Sequence, residues 1–197
     1  MTGKIRLRFM LTGSVCLLAA AAVRLSAGEA WLPTDAPDDL KPLVTQADKA
    51  SQALAQRLMA RLTAAFGEGG APAAVDVCSR EAGELASTVA LEFGVEIGRT
   101  SHKIRNPKNA PRDWVKPHLD AAAGRKAAQV KPVAIRLEKG AGLLKPIGVQ
   151  GFCLTCHGAS VDVSVREAIA ARYPDDRATG FAEGDFRGFF WVEVKGK

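Results

Sequence analysis

Apolar positions recur at three, four and seven residues through the first third of the chain. Leu40, Leu43, Ala47, Leu54, Leu58, Leu62 and Phe66 fall on one face of a long helix. Gly67, Gly69 and Gly70 predict its end, and Pro72 predicts the first turn of a second helix. That helix carries Val75, Cys78, Ala82, Leu85 and Val89 on its apolar face and closes at Gly94. Ahead of both, Trp31 to Asp38 reads as a polar, proline-rich lead-in.

Beyond Gly94 the period changes. Val95 and Ile97 alternate with Glu96 and Gly98, which predicts a strand. Asn106-Pro107-Lys108-Asn109 is turn chemistry. A shorter helix is expected from near Pro111 to about Ala128. Pro132 to Glu138 alternates again, with Val133, Ile135 and Leu137 on one face. Lys139 to Gly142 reads as a hairpin loop and Leu143 to Val149 as the returning strand. Asp162 caps a helix that runs to Tyr173. Last, Phe190, Val192 and Val194 point one way and Trp191, Glu193 and Lys195 the other, as in a closing strand. Two helices followed by antiparallel strands with helices between them predict an α+β domain.

The N-terminus changes how charge and cysteines are read. Lys4, Arg6 and Arg8 precede an apolar run from Phe9 to Val23, and Ser26, Ala27 and Gly28 follow. That is the build of a secretory signal peptide, with cleavage near Ala27 or Ala30 and a periplasmic destination. The run is shorter than the roughly 20 residues of a membrane-spanning helix. Membrane attachment therefore requires an uncleaved leader. Cys16 lies in the run and is expected to leave with it; Gly13, three residues earlier, is not the leucine of a lipoprotein signal. The whole chain has 27 basic and 21 acidic residues. Lys4, Arg6, Arg8 and Arg24 belong to the leader, so 27 less 4 leaves 23 against 21, a net of +2. No Lys/Arg run survives, which argues against a nucleic-acid partner. The expected organisation is a signal peptide over residues 1–27, an N-terminal helical segment over 28–70 and a single domain over 71–197.

Gly151-Phe-Cys-Leu-Thr-Cys-His-Gly158 is the densest chemistry in the chain. The C-x-x-C-H spacing is that of covalent haem attachment. Each thiol, Cys153 and Cys156, adds to one vinyl group, and the two-residue gap lets both reach neighbouring vinyls from one turn. His157 then lies beneath the ring, where its imidazole can bind iron. A Cys153–Cys156 disulfide gives His157 no role. A thioredoxin-like pair belongs near the start of a βαβ unit, not after a late hairpin. A zinc site wants a second ligand pair, and none follows. A haem-bearing four-helix bundle also places this motif near its C-terminus, but the strand patterns after residue 94 oppose it. The fourth cysteine, Cys78, is either a small buried hydrophobe or a sixth iron ligand. His102, His118 and Met59 compete for that position. Met59 reads as core, beside the apolar stripe, and His118 as a solvated surface residue. Arg99, Lys103 and Arg105 read as solvated loop charges before haem-propionate partners.

Several segments together resemble a known family. They are Val75-Asp-Val-Cys78, the run from Arg99-Thr-Ser-His to Asn109-Ala-Pro-Arg-Asp-Trp114, Lys145-Pro-Ile147, Cys153 to Gly158, Tyr173-Pro-Asp-Asp176 and Gly184-Asp-Phe-Arg-Gly188. The chain is similar in these to the Tll-type c-type haem domains, formerly a domain of unknown function. The resemblance implies a PAS-like antiparallel sheet with long N-terminal helices, and one covalent haem c. It also implies iron held by His157 and by Cys78. Position 102 departs from the family pattern, being His102 where an apolar residue is usual. The implied role is a redox or small-gas sensor, with NO or CO as candidate ligands; a single-haem electron carrier is the alternative. Neither is an enzyme. Either role needs a separate redox or output partner.

Overall fold

The long apolar face builds a helical hairpin. In the computed structural model, which describes residues 29–196, helix α1 spans Lys41–Arg80 and is broken at Gly69 (φ −154°) and Gly70 (φ 68°, ψ −160°). Gly70 occupies a region of backbone space open essentially to glycine alone. The chain reverses there. Ala65 and Ala74 meet in one small buried cluster. Arg61 pairs with Glu81 at 2.7 Å and Arg57 with Glu92 at 2.6 Å. Near the far end, Gln46 Nε2 donates to Phe93 O at 2.6 Å. Past Glu81 the returning arm continues as α2, Ala82–Phe93. Gly94 closes it in the left-handed conformation, its N–H on Ala90 O. The glycine stop, the Pro72 restart and the Gly94 cap stand where the sequence predicts them. The expected leader, with Cys16, lies outside the described residues.

Five strands form one antiparallel sheet in the order β1-β3-β4-β5-β2. They are β1 Ala30–Trp31, β2 Glu96–Thr100, β3 Val133–Leu137, β4 Gly140–Gly148 and β5 Phe186–Lys195. Alternation in β5 sends Phe190, Val192 and Val194 toward the hairpin, where they pack with Leu54, Leu58 and Val89. Phe189 and Trp191 turn to the other face, against Val115 and Leu119 beside helix α3, Lys116–Ala122. Both faces are thus covered, and the class is α+β with long N-terminal helices.

Three local differences from the sequence reading have physical reasons. The hairpin loop is Glu138–Lys139, because Leu137 pairs with Gly140. Gly142 lies inside β4: a Cβ there would stand 3.0 Å from the Trp114 ring. That glycine makes room for an indole and does not make a turn. The third helix starts later and ends sooner than expected, with Pro117 in its first turn and Ala123 already extended. Strand β1 is only two residues long, paired to Ile135 and Ala134, too short to carry a period.

The segments that frame the site come last. A 3₁₀ turn, Gly151–Cys153, runs directly into the one-turn helix α4, Leu154–His157. Helix α5, Val163–Arg172, is capped by Asp162, whose carboxylate accepts from Ser164 N–H at 2.9 Å. Val165 and Ile169 of α5 pack with Val75 of the returning arm and with Tyr173. That cluster fixes the returning arm against the C-terminal part of the chain. No helix among the described residues is long and apolar enough to cross a membrane.

Candidate functional site

The fold brings Cys78, Cys153, Cys156 and His157 to one cavity of about 370 Å³. Cofactor pockets commonly run from roughly 300 to 1,000 Å³. Both hairpin arms line it, with Leu58, Met59, Leu62 and Phe66 from the first and Val75 and Cys78 from the second. Strand residues Arg99, Ile147 and Phe190 close another side, with Phe152, Tyr173 and Arg187. Most of the wall is apolar, which strengthens the electrostatics of the few polar groups relative to open water.

The C-x-x-C-H turn is clamped through its backbone. Gly158 N–H donates to Leu154 O at 2.9 Å. A Cβ at Gly158 would stand 2.6 Å from that same carbonyl oxygen, so a side chain there would force the turn apart. Arg105 Nη2 donates to Cys156 O at 2.6 Å. Arg105 is itself held by Asp176, Nε to Oδ1 at 3.0 Å, with the two side chains only 9% and 11% exposed. Asp176 Oδ1 also accepts from Ala178 N–H at 2.9 Å. Phe181 N–H donates to His157 O and Gly180 N–H to Gly158 O, each at 3.0 Å. Residues 176–181, directly or through Arg105, therefore hold the second half of the motif, Cys156 to Gly158.

His157 is fixed in one tautomer. Its Nδ1 lies 2.6 Å from Ala178 O; a carbonyl only accepts, so Nδ1 carries the proton. Burial first, then the charges of Arg187 and Arg105, press its pKa down to about 3. The imidazole is neutral, and Nε2 keeps its lone pair for a ligand. Cys78, Cys153 and Cys156 are free, half-buried thiols. Burial pushes the Cys156 thiol up. Tyr173 is pushed up to about 12, by burial first and then by Cys78. It stays a phenol, a hydrogen-bond donor close to that thiol.

The sequence candidates for a sixth iron ligand fall in different places. His102 does not line the cavity. Its ring sits 5.7 Å from Phe181 and 6.2 Å from Phe186, and its Nδ1 is sealed without a hydrogen-bond partner. His118 rides on α3, beside the core of the opposite sheet face. Met59, expected in the core, is 39% exposed and stands in the cavity wall. It falls near the closed end of the hairpin, where a cavity replaces packed core. Lys103 turns away to Thr179 O at 3.2 Å, whereas Arg99 and Arg105 line the cavity, against their reading as solvated charges. Arg187 was missed as a site residue. Its signal lay in the Gly184-Asp-Phe-Arg-Gly188 segment, and only tertiary closure turns it toward Cys153 and His157. Among the described residues no three His, Cys, Asp or Glu side chains converge to cage a bare metal ion.

A family model described as Tll0287-like matches residues 22–195. The crystal structure of the cyanobacterial heme-protein Tll0287 superimposes with a TM-score of 0.55, covering 82% of this chain and 98% of that one at 24% identity. That likeness is one of fold. No curated protein is significantly similar to the chain.

Proposed function

The chain belongs to the Tll0287-like family, and from that premise we propose that it carries one covalently attached haem c in this cavity. Cys153 and Cys156 form the thioethers, His157 is the proximal ligand and Cys78 the distal one. The observation that supports this most is the meeting of the C-x-x-C-H turn with Cys78, distant in sequence, in one largely apolar pocket. The donor set fits the group. Two protein donors are what iron needs when a macrocycle supplies its other four nitrogens.

The haem would supply one-electron chemistry and an axial position for a small gas. The chain's own residues set the terms. Ala178 O holds the Nδ1 proton of His157 and so aims Nε2. A Cys78 thiolate favours the oxidised state and lowers the potential. A ferrous centre would hold an anionic thiolate less tightly, so Cys78 is the displaceable ligand. The Tyr173 hydroxyl stands ready to donate to whatever occupies that side. This lability favours an exported redox or small-gas sensor, responsive to reduction, NO or CO, without catalytic turnover and working through a separate partner protein. An electron carrier is the second reading. It draws support from Phe152, 38% exposed at the cavity rim and 4.9 Å from Phe66, a contact point for a docking partner.

Two measurements test the core of this. Intact mass of the exported protein should show one added porphyrin and loss of the leader. Cys78→Ser should convert a low-spin thiolate signal in ferric electron paramagnetic resonance to another type. An unchanged signal removes Cys78 from the iron and promotes Met59, the remaining competitor in the cavity wall.

A further inference from the structure

Three arginines line the cavity, Arg99, Arg105 and Arg187, and among the described lining residues there is no Asp or Glu. Like charges gathered in an apolar pocket are costly without counterions. Arg105 has its own. Asp176 takes it through two nitrogens, Nε at 3.0 Å and Nη2 at 3.1 Å, and Cys156 O takes Nη2 as well. Arg187 spends only Nη1, on Ser101 Oγ and on Lys103 O. Its Nε and Nη2, and the whole Arg99 guanidinium, make no hydrogen bond or ion pair among the described residues. These nitrogens are not sealed in protein, for the one sealed orphan among the described side chains is His102 Nδ1. They open on the cavity instead. Arg187 reports the crowding: its pKa is drawn down to about 10 by burial first and then by Arg105 and Arg99.

The charge count points to the missing partner. Three guanidiniums against the one carboxylate of Asp176 leave two positive charges. Planar guanidinium forks with unspent donors match planar carboxylates. We propose that Arg99 and Arg187 form a cradle for a dicarboxylate, and that its two carboxylates are the propionates of the porphyrin. The identity of the dicarboxylate rests on the haem reading above. With a ferric centre, a porphyrin dianion and the Cys78 thiolate summing to zero, two propionates against two free arginines make the buried assembly neutral. The same pairing fixes which edge of the macrocycle faces β2 and the start of β5, since Arg99 lies on one and Arg187 on the other.

The unloaded full-length chain, thiols reduced, is titrated with ferric protoporphyrin IX and with its dimethyl ester, which has the same ring and no carboxylate charge. The free acid should bind the wild-type chain about tenfold to hundredfold more tightly than the ester. In Arg99→Gln, and in Arg187→Gln, that ratio should fall toward one, while Arg99→Lys, which keeps the charge and loses the fork, keeps part of it. A second readout needs no porphyrin analogue and compares the unloaded chain with the loaded one. Arg99→Gln should raise the thermal midpoint of the unloaded chain, by removing a like charge, and lower that of the loaded one. Equal affinity of acid and ester for the wild type, or an unchanged ratio in both glutamine variants, overturns the cradle and leaves haem attachment standing. Binding of neither compound overturns the haem reading itself, and the inference with it.

Discussion

His102 shows how one residue can look functional and be a stability defect. It follows β2 and is packed between Phe181 and Phe186, with Nδ1 sealed and unpartnered. Burial, then Arg187 and Lys103, hold its pKa below the ordinary value of 6.5. The sign of the linkage follows. The unfolded chain binds the proton more readily than the folded one, so stability falls as pH drops below about 6.5. His102→Leu removes both the orphaned nitrogen and that proton. It should stabilise the fold at pH 7 by about 1 kcal/mol. It should also shrink the loss seen between pH 7 and 5 in urea unfolding. The ferric spectrum should not change. A variant that loses its spectrum would put His102 back on the iron despite its place outside the cavity.

At the scale of elements, the turn at Gly69–Gly70 decides where Cys78 goes. Gly70→Ala forces a side chain into φ 68°, ψ −160°, at a cost of about 1–3 kcal/mol. It should also weaken the proposed axial ligation by Cys78, because the returning arm begins there. Gly67→Ala is the control. Its Cβ meets nothing within 4 Å on the same helix, so it should be neutral or stabilise by up to about 1 kcal/mol. Denaturation midpoints with the ferric spectrum beside them separate the two effects. This element was legible in the sequence because three signals agreed: the apolar stripe, the glycine cluster and Pro72. Strands β2, β3 and β5 were legible from the alternation along Val95–Gly98, Val133–Leu137 and Phe190–Lys195, whereas β1, two residues long, left no period. The hairpin loop was misplaced because Gly140 and Gly142 look like turn residues, and the Trp114 ring that explains Gly142 comes from a different part of the chain. The site divides the same way. Cys153, Cys156 and His157 announce themselves by local spacing. Met59, Arg99 and Arg187 reach the cavity only through pairings between remote segments, and no period records those.

For the whole molecule, the question is whether the cavity reports to the surface. Cys78 sits on the arm that packs through Val75 onto α5 and Tyr173, and through Val77 and Ala74 onto the first arm. The arm is short between Gly70 and Glu81, and its buried contacts are mostly alanine and valine. Such a segment belongs to the low-stability end of a fold. A thiolate bond to iron would be among its strongest restraints. Losing that bond on reduction, or to CO, then gives a ligand the differential affinity that any conformational shift requires. Hydrogen exchange on the loaded protein tests this directly. In a sensor, amides of residues 71–93 should exchange about tenfold faster in the reduced, CO-bound state than in the ferric state, while those of β4 and β5 stay the same. CO should bind quickly once the protein is reduced. In a carrier both axial ligands persist, CO binds slowly or not at all, and the exchange pattern is the same in both oxidation states. The two readings predict opposite results on one arm of one hairpin, because Cys78, the proposed distal ligand, rides on that arm.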